Sequence, residues 1–181
     1  ARVGARRAGF SDQFFSPPLV VSTGITESSS LHFDTTTSMF IPEQRGWSWI
    51  APETDGRCTW TRLAMTGGHD IAPPAHLAGL ETVGGIKTTG RRWRLSRPLC
   101  TEGLILCGDA AGYLDPAAGQ GVLNALYSGT VAAKTVKHII DDRGMEAFHL
   151  FAYDEWFCRN YLSNVEKLKT FYSRHGIEIW D

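Results

Sequence analysis

The residues best able to do chemistry lie between Leu104 and Val136, in LILCGDAAGYLDPAAGQGVLNALYSGTVAAKTV. One carboxylate, Asp109, directly follows a glycine. A bend with Gly119 and Gly121 comes next, and then a run with helical spacing. If the apolar run ending at Cys107 is a buried strand, Asp109 stands at the carboxyl edge of a sheet, where α/β folds bind ligands. A carboxylate there accepts hydrogen bonds from sugar-like hydroxyls. Gly108 lets the chain turn, and Gly119 and Gly121 allow close backbone approach. A helix starting beside them presents unpaired N–H groups and a positive dipole end to an anionic ligand. A Gly-Asp pair alone carries little, since strand–loop–helix connections commonly want glycine. The whole string, Gly108-Asp109-Ala110-Ala111, then Pro116, Gly119 and Gly121, then Ala125, Ser128-Gly129 and Ala132-Ala133, carries much more.

Other candidates are weaker. His32, His69, His76, His138, His149 and His175 are scattered, and no Ser/His/Asp or Cys/His arrangement is readable, so no residue is assigned as catalytic acid or base. Asp115, just before Pro116, suits a turn-stabilising role better than a ligand contact. Trp47 and Trp49 could line an apolar substrate pocket, although an aromatic pair on a strand more often belongs to a core. Arg92 and Arg94 could meet an acidic substrate or flank a strand edge. Cys58, Cys100, Cys107 and Cys158 lie far apart without C-x-x-C or zinc-like histidine spacing, so they read as free thiols and no metal is expected.

Composition narrows the class. The 181 residues are 43% hydrophobic and 20% charged, with net charge −1. That balance is ordinary for a globular domain and lacks the Lys/Arg excess of a nucleic-acid binder. No apolar run approaches the roughly 20 residues of a membrane span. The N-terminus has basic residues without an apolar signal-peptide core, and a cytoplasmic location is expected. With no initiator Met, the chain reads as a processed or truncated piece.

The elements that must position these residues differ between the two halves. PLVVSTGI, SLHFDTTTSMFIPE (with Leu31, Phe33 and Thr35 on one face), GWSWIAP and GRCTWTRLAM read as successive strands of an antiparallel meander. The turn signal is Thr54-Asp55-Gly56. Residues 67–80 read as a loop or a short helix after Pro74, and GGIKTTGRRWRLSRP as extended up to Pro98. GLILCGD reads as a strand buried on both faces in a parallel sheet. From Gly119, Val122, Leu123, Leu126, Val131 and Val136 recur at helical spacing. Glu146 to His175 reads as a second helix whose broad aromatic face, from Phe148 and Phe151 to Tyr172, must be buried. The expected regions are residues 1–98 for a mainly β sheet region, 99–140 for the strand–loop–helix and 141–181 for an aromatic-rich helix.

The string G-D-A-A-x-x-x-x-P-x-x-G-x-G resembles the second FAD-binding motif of a large flavoprotein superfamily. That superfamily includes aromatic hydroxylases, geranylgeranyl reductases and flavin-dependent halogenases. WSWIAPETDGRCTWTRL is similar to its substrate-side strands, RRWRLSRPLCTEGLILCGDAA to its approach to the GD motif, and YDEWFCRNYLSNVEKLKTFY to its closing helix. The resemblance spans residues 18–175, with only the central thirty specific. It implies an α/β fold, an FAD/NAD(P)-binding-like fragment with an antiparallel substrate-side sheet and C-terminal helices. It assigns Asp109 to the ribityl or pyrophosphate part of FAD and Pro116, Gly119, Gln120 and Gly121 to the pyrimidine edge of the flavin, with Gly108, Ala110 and Val122 also expected to bind the cofactor. A helix dipole there stabilises the negative charge of reduced flavin.

The superfamily opens with G-x-G-x-x-G, and residues 1–60 hold nothing of that kind, since RVGARRAG has the wrong spacing. The chain therefore resembles the C-terminal half of such a protein. An FAD-dependent oxidoreductase of monooxygenase, reductase or halogenase type, acting on an apolar or aromatic small molecule, is one expectation. The other is a non-catalytic fragment or subunit of a split flavoprotein that associates with itself, a second chain or the missing half through an exposed apolar face. The expected partners are a small-molecule substrate together with a second chain, the missing N-terminal half or another copy of this chain.

Overall fold

The computed structural model describes residues 9–27, 37–65 and 72–180. In chain order its strands are β1 (Ser11–Phe14), β2 (Leu19–Glu27), β3 (Met39–Glu43), β4 (Gly46–Pro52), β5 (Arg57–Met65), β6 (Thr82–Arg91), β7 (Arg94–Arg97), β8 (Cys100–Thr101), β9 (Leu104–Ile105) and β10 (Gly112–Tyr113). The helices are α1 (Gly108–Ala111), α2 (Gly121–Asp141) and α3 (Glu146–Arg174). Two compact units result, and neither is a continuous stretch of chain. One combines Ala1–Phe15 with Arg92–Thr170 and the other Ser16–Arg91 with Phe171–Asp181, in each case as far as the residues are described. The expected strand positions Leu31, Phe33 and Thr35, together with His32, His69 and the segment RVGARRAG, lie outside the described residues.

The unit containing β2 to β6 is a five-stranded antiparallel sheet in the order β3-β4-β5-β2-β6. Strands β3, β4 and β5 form the expected meander, whereas β2 inserts between β5 and β6. On one face Ile50, Cys58, Trp60 and Leu77 form a fully buried cluster flanked by Met39, Ile41, Leu80 and Ile86. Leu77 comes from a single 3-10 turn, Ala75–Leu77, directly after Pro74. The indole N–H of Trp60 donates to Thr26 Oγ1 at 2.9 Å, which satisfies a polar group inside the cluster. Trp47 is buried as well, its N–H donating to the Tyr172 hydroxyl at 2.7 Å and its ring packed on Phe40.

The other unit holds two small sheets and most of the helical residues. Strands β1, β7 and β10 form an antiparallel sheet with β7 central, and β8 pairs with β9. The segment expected to be extended up to Pro98 is broken at Arg92 and Trp93, so β6 and β7 belong to different sheets. A second correction concerns GLILCGD. Among the described residues it joins no parallel sheet, because only Leu104 and Ile105 form a strand, and they pair antiparallel with Thr101 and Cys100. A strand buried on both faces needs layers packed over both, and Leu104 stays exposed.

The long helices also depart from expectation. On α2 the buried positions are Ser128, Ala132 and Thr135, whereas Val122, Leu123, Leu126, Val136 and Ile140 are exposed. At about 100° per residue Leu123, Leu126 and Ile140 lie on the far side of the helix from Ser128, Ala132 and Thr135, so most of its large apolar residues turn outward. On α3 the buried stripe is Tyr153, Phe157, Tyr161, Val165, Leu168 and Tyr172. Phe148 and Phe151 are exposed, because they lie roughly 140–160° around the helix from Tyr153. The expected aromatic face is therefore buried only along one stripe.

Candidate functional site

The Gly-Asp pair forms a tight turn rather than the edge of a parallel sheet. After Cys107, whose backbone is extended, the chain enters the single helical turn α1. Gly108 adopts φ +54°, a left-handed conformation that favours glycine, and a Cβ added there would stand 3.2 Å from the Ala125 Cβ. That close approach brings α1 against α2. The Gly108 N–H donates to the Ser128 hydroxyl at 2.9 Å, and that hydroxyl donates to the Asn124 carbonyl at 2.6 Å. Residues twenty apart in sequence are thus joined by one buried hydroxyl.

A cation holds the same turn from the sheet side. The Arg94 guanidinium donates to the carbonyls of Asp109 and Ala110 and pairs with Asp12 at 3.2 Å. The Ser96 hydroxyl lies 2.9 Å from Asp12 Oδ1 and 3.0 Å from the Ala110 carbonyl. With its main chain anchored in this way, Asp109 keeps its own side chain exposed. Arg92, the other candidate cation, sits 4.1 Å over the ring of Phe14.

The bend that follows is built around Asp115, which is 2% exposed. Its Oδ1 accepts the Ala117 N–H at 3.0 Å and caps the 3-10 turn Pro116–Ala118, while its Oδ2 accepts the buried Trp93 indole N–H at 2.6 Å. Gly119 ends that turn in the left-handed region, at φ +63°. Gln120 precedes α2 without a side-chain cap, so the first N–H groups of this 21-residue helix face the loop.

Helix α3 closes the other side. Tyr161 and Phe157 press on Gly112 so closely that a Cβ there would lie 2.8 Å from the Tyr161 ring and 3.1 Å from the Phe157 ring. The Tyr161 hydroxyl donates to the Tyr113 carbonyl at 3.2 Å, and the Tyr153 hydroxyl donates to the Leu106 carbonyl at 2.7 Å. Burial pushes both phenols well above the usual tyrosine range, so they act as neutral donors. Beneath them, burial and then the Asp154 carboxylate push the Cys100 thiol up to about 12 and Cys158 to about 11.

These parts enclose a cavity of about 490 Å³. Of the residues singled out from sequence, Gly108, Asp109, Pro116, Gly119, Gln120, Gly121 and Val122 line it, and Ala110 stands behind them with its carbonyl toward Arg94 and Ser96. Trp47 and Trp49 belong to the other unit, where Trp47 is core and Trp49 is 47% exposed. Sequence reasoning missed the opposite wall, made by Tyr127, Trp156, Asn160, Tyr161 and Asn164. Its signal is the spacing 156, 160, 161 and 164, which puts these residues on one helical face. Among the described residues no group of three potential metal ligands occurs, and no helix is long and apolar enough to cross a membrane. None of the four cysteines forms a disulfide.

Comparison with known proteins finds similarity in both sequence and fold. No protein-family model matches the chain. The digeranylgeranylglycerophospholipid reductase of Thermoplasma acidophilum is 35% identical over 75 residues, which is 39% of this chain and 19% of the reductase. That of Methanocella arvoryzae is 38% identical over 76 residues, 41% of this chain and 18% of the reductase. The matched stretch is thus less than a fifth of each curated relative. Among solved structures, the myxobacterial chondrochloren halogenase, a FAD-dependent halogenase, superposes with a TM-score of 0.72 at 19% identity, covering 90% of this chain and 43% of the halogenase. A flavoprotein/dehydrogenase from Cytophaga hutchinsonii gives 0.69 at 15% identity, with 97% of this chain and 46% of that one covered. The chain therefore has the fold of these flavoproteins and a local sequence similarity to digeranylgeranylglycerophospholipid reductases.

Proposed function

We propose that the cavity beside α1 and α2 holds the flavin half of FAD and that the chain is part of an FAD-dependent oxidoreductase. One observation carries this reading. Seven residues chosen from a sequence motif, drawn from α1, the Pro116–Gly119 turn and the start of α2, line a single cavity. The lining suits the cofactor. Asp109 is exposed to accept ribityl hydroxyls, and the α2 N-terminus is uncapped. A Cβ added to Gly119 or Gly121 would meet nothing within 4 Å, so neither side chain obstructs an approach to the backbone. The volume falls within the roughly 300–1,000 Å³ of small-molecule sites.

FAD, when bound, supplies the two-electron redox chemistry. The chain contributes orientation and electrostatics. Asp109 accepts hydroxyl protons in hydrogen bonds, the N–H groups at the start of α2 stabilise negative charge, and Arg94 and Ser128 hold the Gly-Asp turn in place. The local identity with digeranylgeranylglycerophospholipid reductases favours reduction of an isoprenoid double bond over oxygenation or halogenation.

Titrating the chain with FAD and following flavin fluorescence tests the reading. Asp109→Ala should weaken binding by about 1–3 kcal/mol, or roughly 5- to 150-fold, through loss of a charge-assisted hydrogen bond. Unchanged affinity would remove Asp109 from the site.

A second reading has its own observation. The outward face of α2 carries Leu123, Leu126, Val136 and Ile140, all exposed, which suits a surface buried by a second chain or by a further part of a longer protein. A monomer that retains flavin through desalting supports the first reading alone, and an oligomer without flavin the second.

A further inference from the structure

We infer that the α3 wall of the cavity, Asn160 and Asn164 with the Trp156 ring beside them, is a second contact surface for the flavin ring; this rests on the FAD reading above. The wall lines the same cavity as the α2 N-terminus and comes from a different element than the motif residues. Trp156, Asn160 and Asn164 follow one another at i, i+4 and i+8 on one face of α3, and Trp156 packs edge-on against Tyr127 of α2 at 5.4 Å.

Charge decides which part of the cofactor meets this wall. The cavity lining includes no Lys, Arg or His, and its carboxylates are Asp109 and the internally bonded Asp115. A pyrophosphate placed against α3 would find no cation, whereas an uncharged planar ring needs none. With N1 and the C2 carbonyl toward the α2 N-terminus, the ring would still present its N3–H donor and C4 carbonyl acceptor, and an Asn amide matches both. Asn160 gives one N–H to the Trp156 carbonyl at 2.8 Å, which fixes its amide and leaves its oxygen and second N–H for a ligand. Asn164, half-buried, has no hydrogen-bond partner among the described residues. The aromatic pair Tyr127 and Trp156 supplies the apolar surface that a flat ring covers.

The test uses this chain with FAD and with riboflavin, which keeps the ring and lacks the phosphates and adenosine. Asn164→Leu and Asn160→Leu remove the amides, and Asn164→Asp keeps the shape while adding a negative charge. Each Leu variant should weaken FAD and riboflavin by the same factor, about 5- to 20-fold per hydrogen bond lost. Asn164→Asp should also shift the flavin absorption band and lower the midpoint potential, because added negative charge disfavours reduction. Thermal melting confirms that each variant folds, and the exposed Asn160 provides an independent position should Asn164 prove structural. Wild-type affinities, band positions and potential in all three variants would overturn the inference while leaving the FAD reading standing. Failure of the wild-type chain to bind FAD would overturn both.

Discussion

The Asp115 carboxylate receives the Trp93 indole N–H on one oxygen and the Ala117 N–H on the other. Both contacts are internal, so its part in the site is to shape the loop rather than to touch a ligand. Removing it leaves the buried Trp93 N–H without this acceptor. Asp115→Ala should therefore cost about 1–3 kcal/mol in chemical denaturation, and Asp115→Asn, which keeps a carbonyl acceptor, should recover much of that. The half-buried thiols of Cys100 and Cys158 give a second residue-scale expectation. With Cys158 raised to about 11 and Cys100 to about 12, by burial first and Asp154 second, both stay protonated at pH 8. Iodoacetamide should modify them far more slowly than a model thiol, since the thiolate is the nucleophile. The same shifts set an alkaline limit. Between about pH 9 and pH 11–12 the unfolded chain has released thiol protons that the folded chain still holds, so folding stability falls as pH rises through that window. Urea midpoints measured at pH 8, 10 and 11 check it.

At the scale of elements, the candidate site depends on how closely its parts approach. Helix α3 reaches the loop only because Gly112 has no side chain, with the Tyr161 and Phe157 rings in the space a Cβ would need. Gly112→Ala should cost about 1–3 kcal/mol through overpacking and widen the cavity by pushing α3 outward. Lower melting temperature together with weaker FAD binding is the expected pair of results, whereas lost stability with intact binding would separate α3 from the site. The motif was legible in sequence because glycine, aspartate and proline have few substitutes where the chain turns, caps or approaches another backbone. The opposing wall was not, because Trp156, Asn160 and Asn164 satisfy a helical pattern that many unrelated helices share. Arg94 was legible only as a cation. Its grip on the Asp109 and Ala110 carbonyls joins positions fifteen and sixteen apart, and no local pattern encodes that.

For the whole molecule, the notable surface is the outward face of α2. Leu123 and Leu126 are 64% and 67% exposed, so replacing both with Glu removes no core contact and should change stability by no more than about 0.5 kcal/mol per site. If this face buries itself against another copy, the double variant should shift toward monomer in analytical ultracentrifugation at matched concentration. An unchanged sedimentation profile would rule out self-association through α2. The substitution leaves the cavity lining untouched, so flavin binding serves as an internal control. The apolar spacing of α2 was plain in sequence, but spacing marks a face and not which way it points. The packing of α1 on the Ser128 side of the helix turned that face outward.

The sequence by itself determined the local chemistry of the motif and the helical register of both long helices, together with three strands of a meander. Residues near in sequence dictate those features through backbone geometry and side-chain period. Only the tertiary structure decided that Leu104 and Ile105 pair antiparallel, that β6 and β7 part at Arg92 and Trp93, and that Arg94, Ser128 and Tyr161 converge on the Gly-Asp turn. Each of those outcomes depends on partners distant in the chain, and pairing and burial free energies act through space without regard to sequence separation.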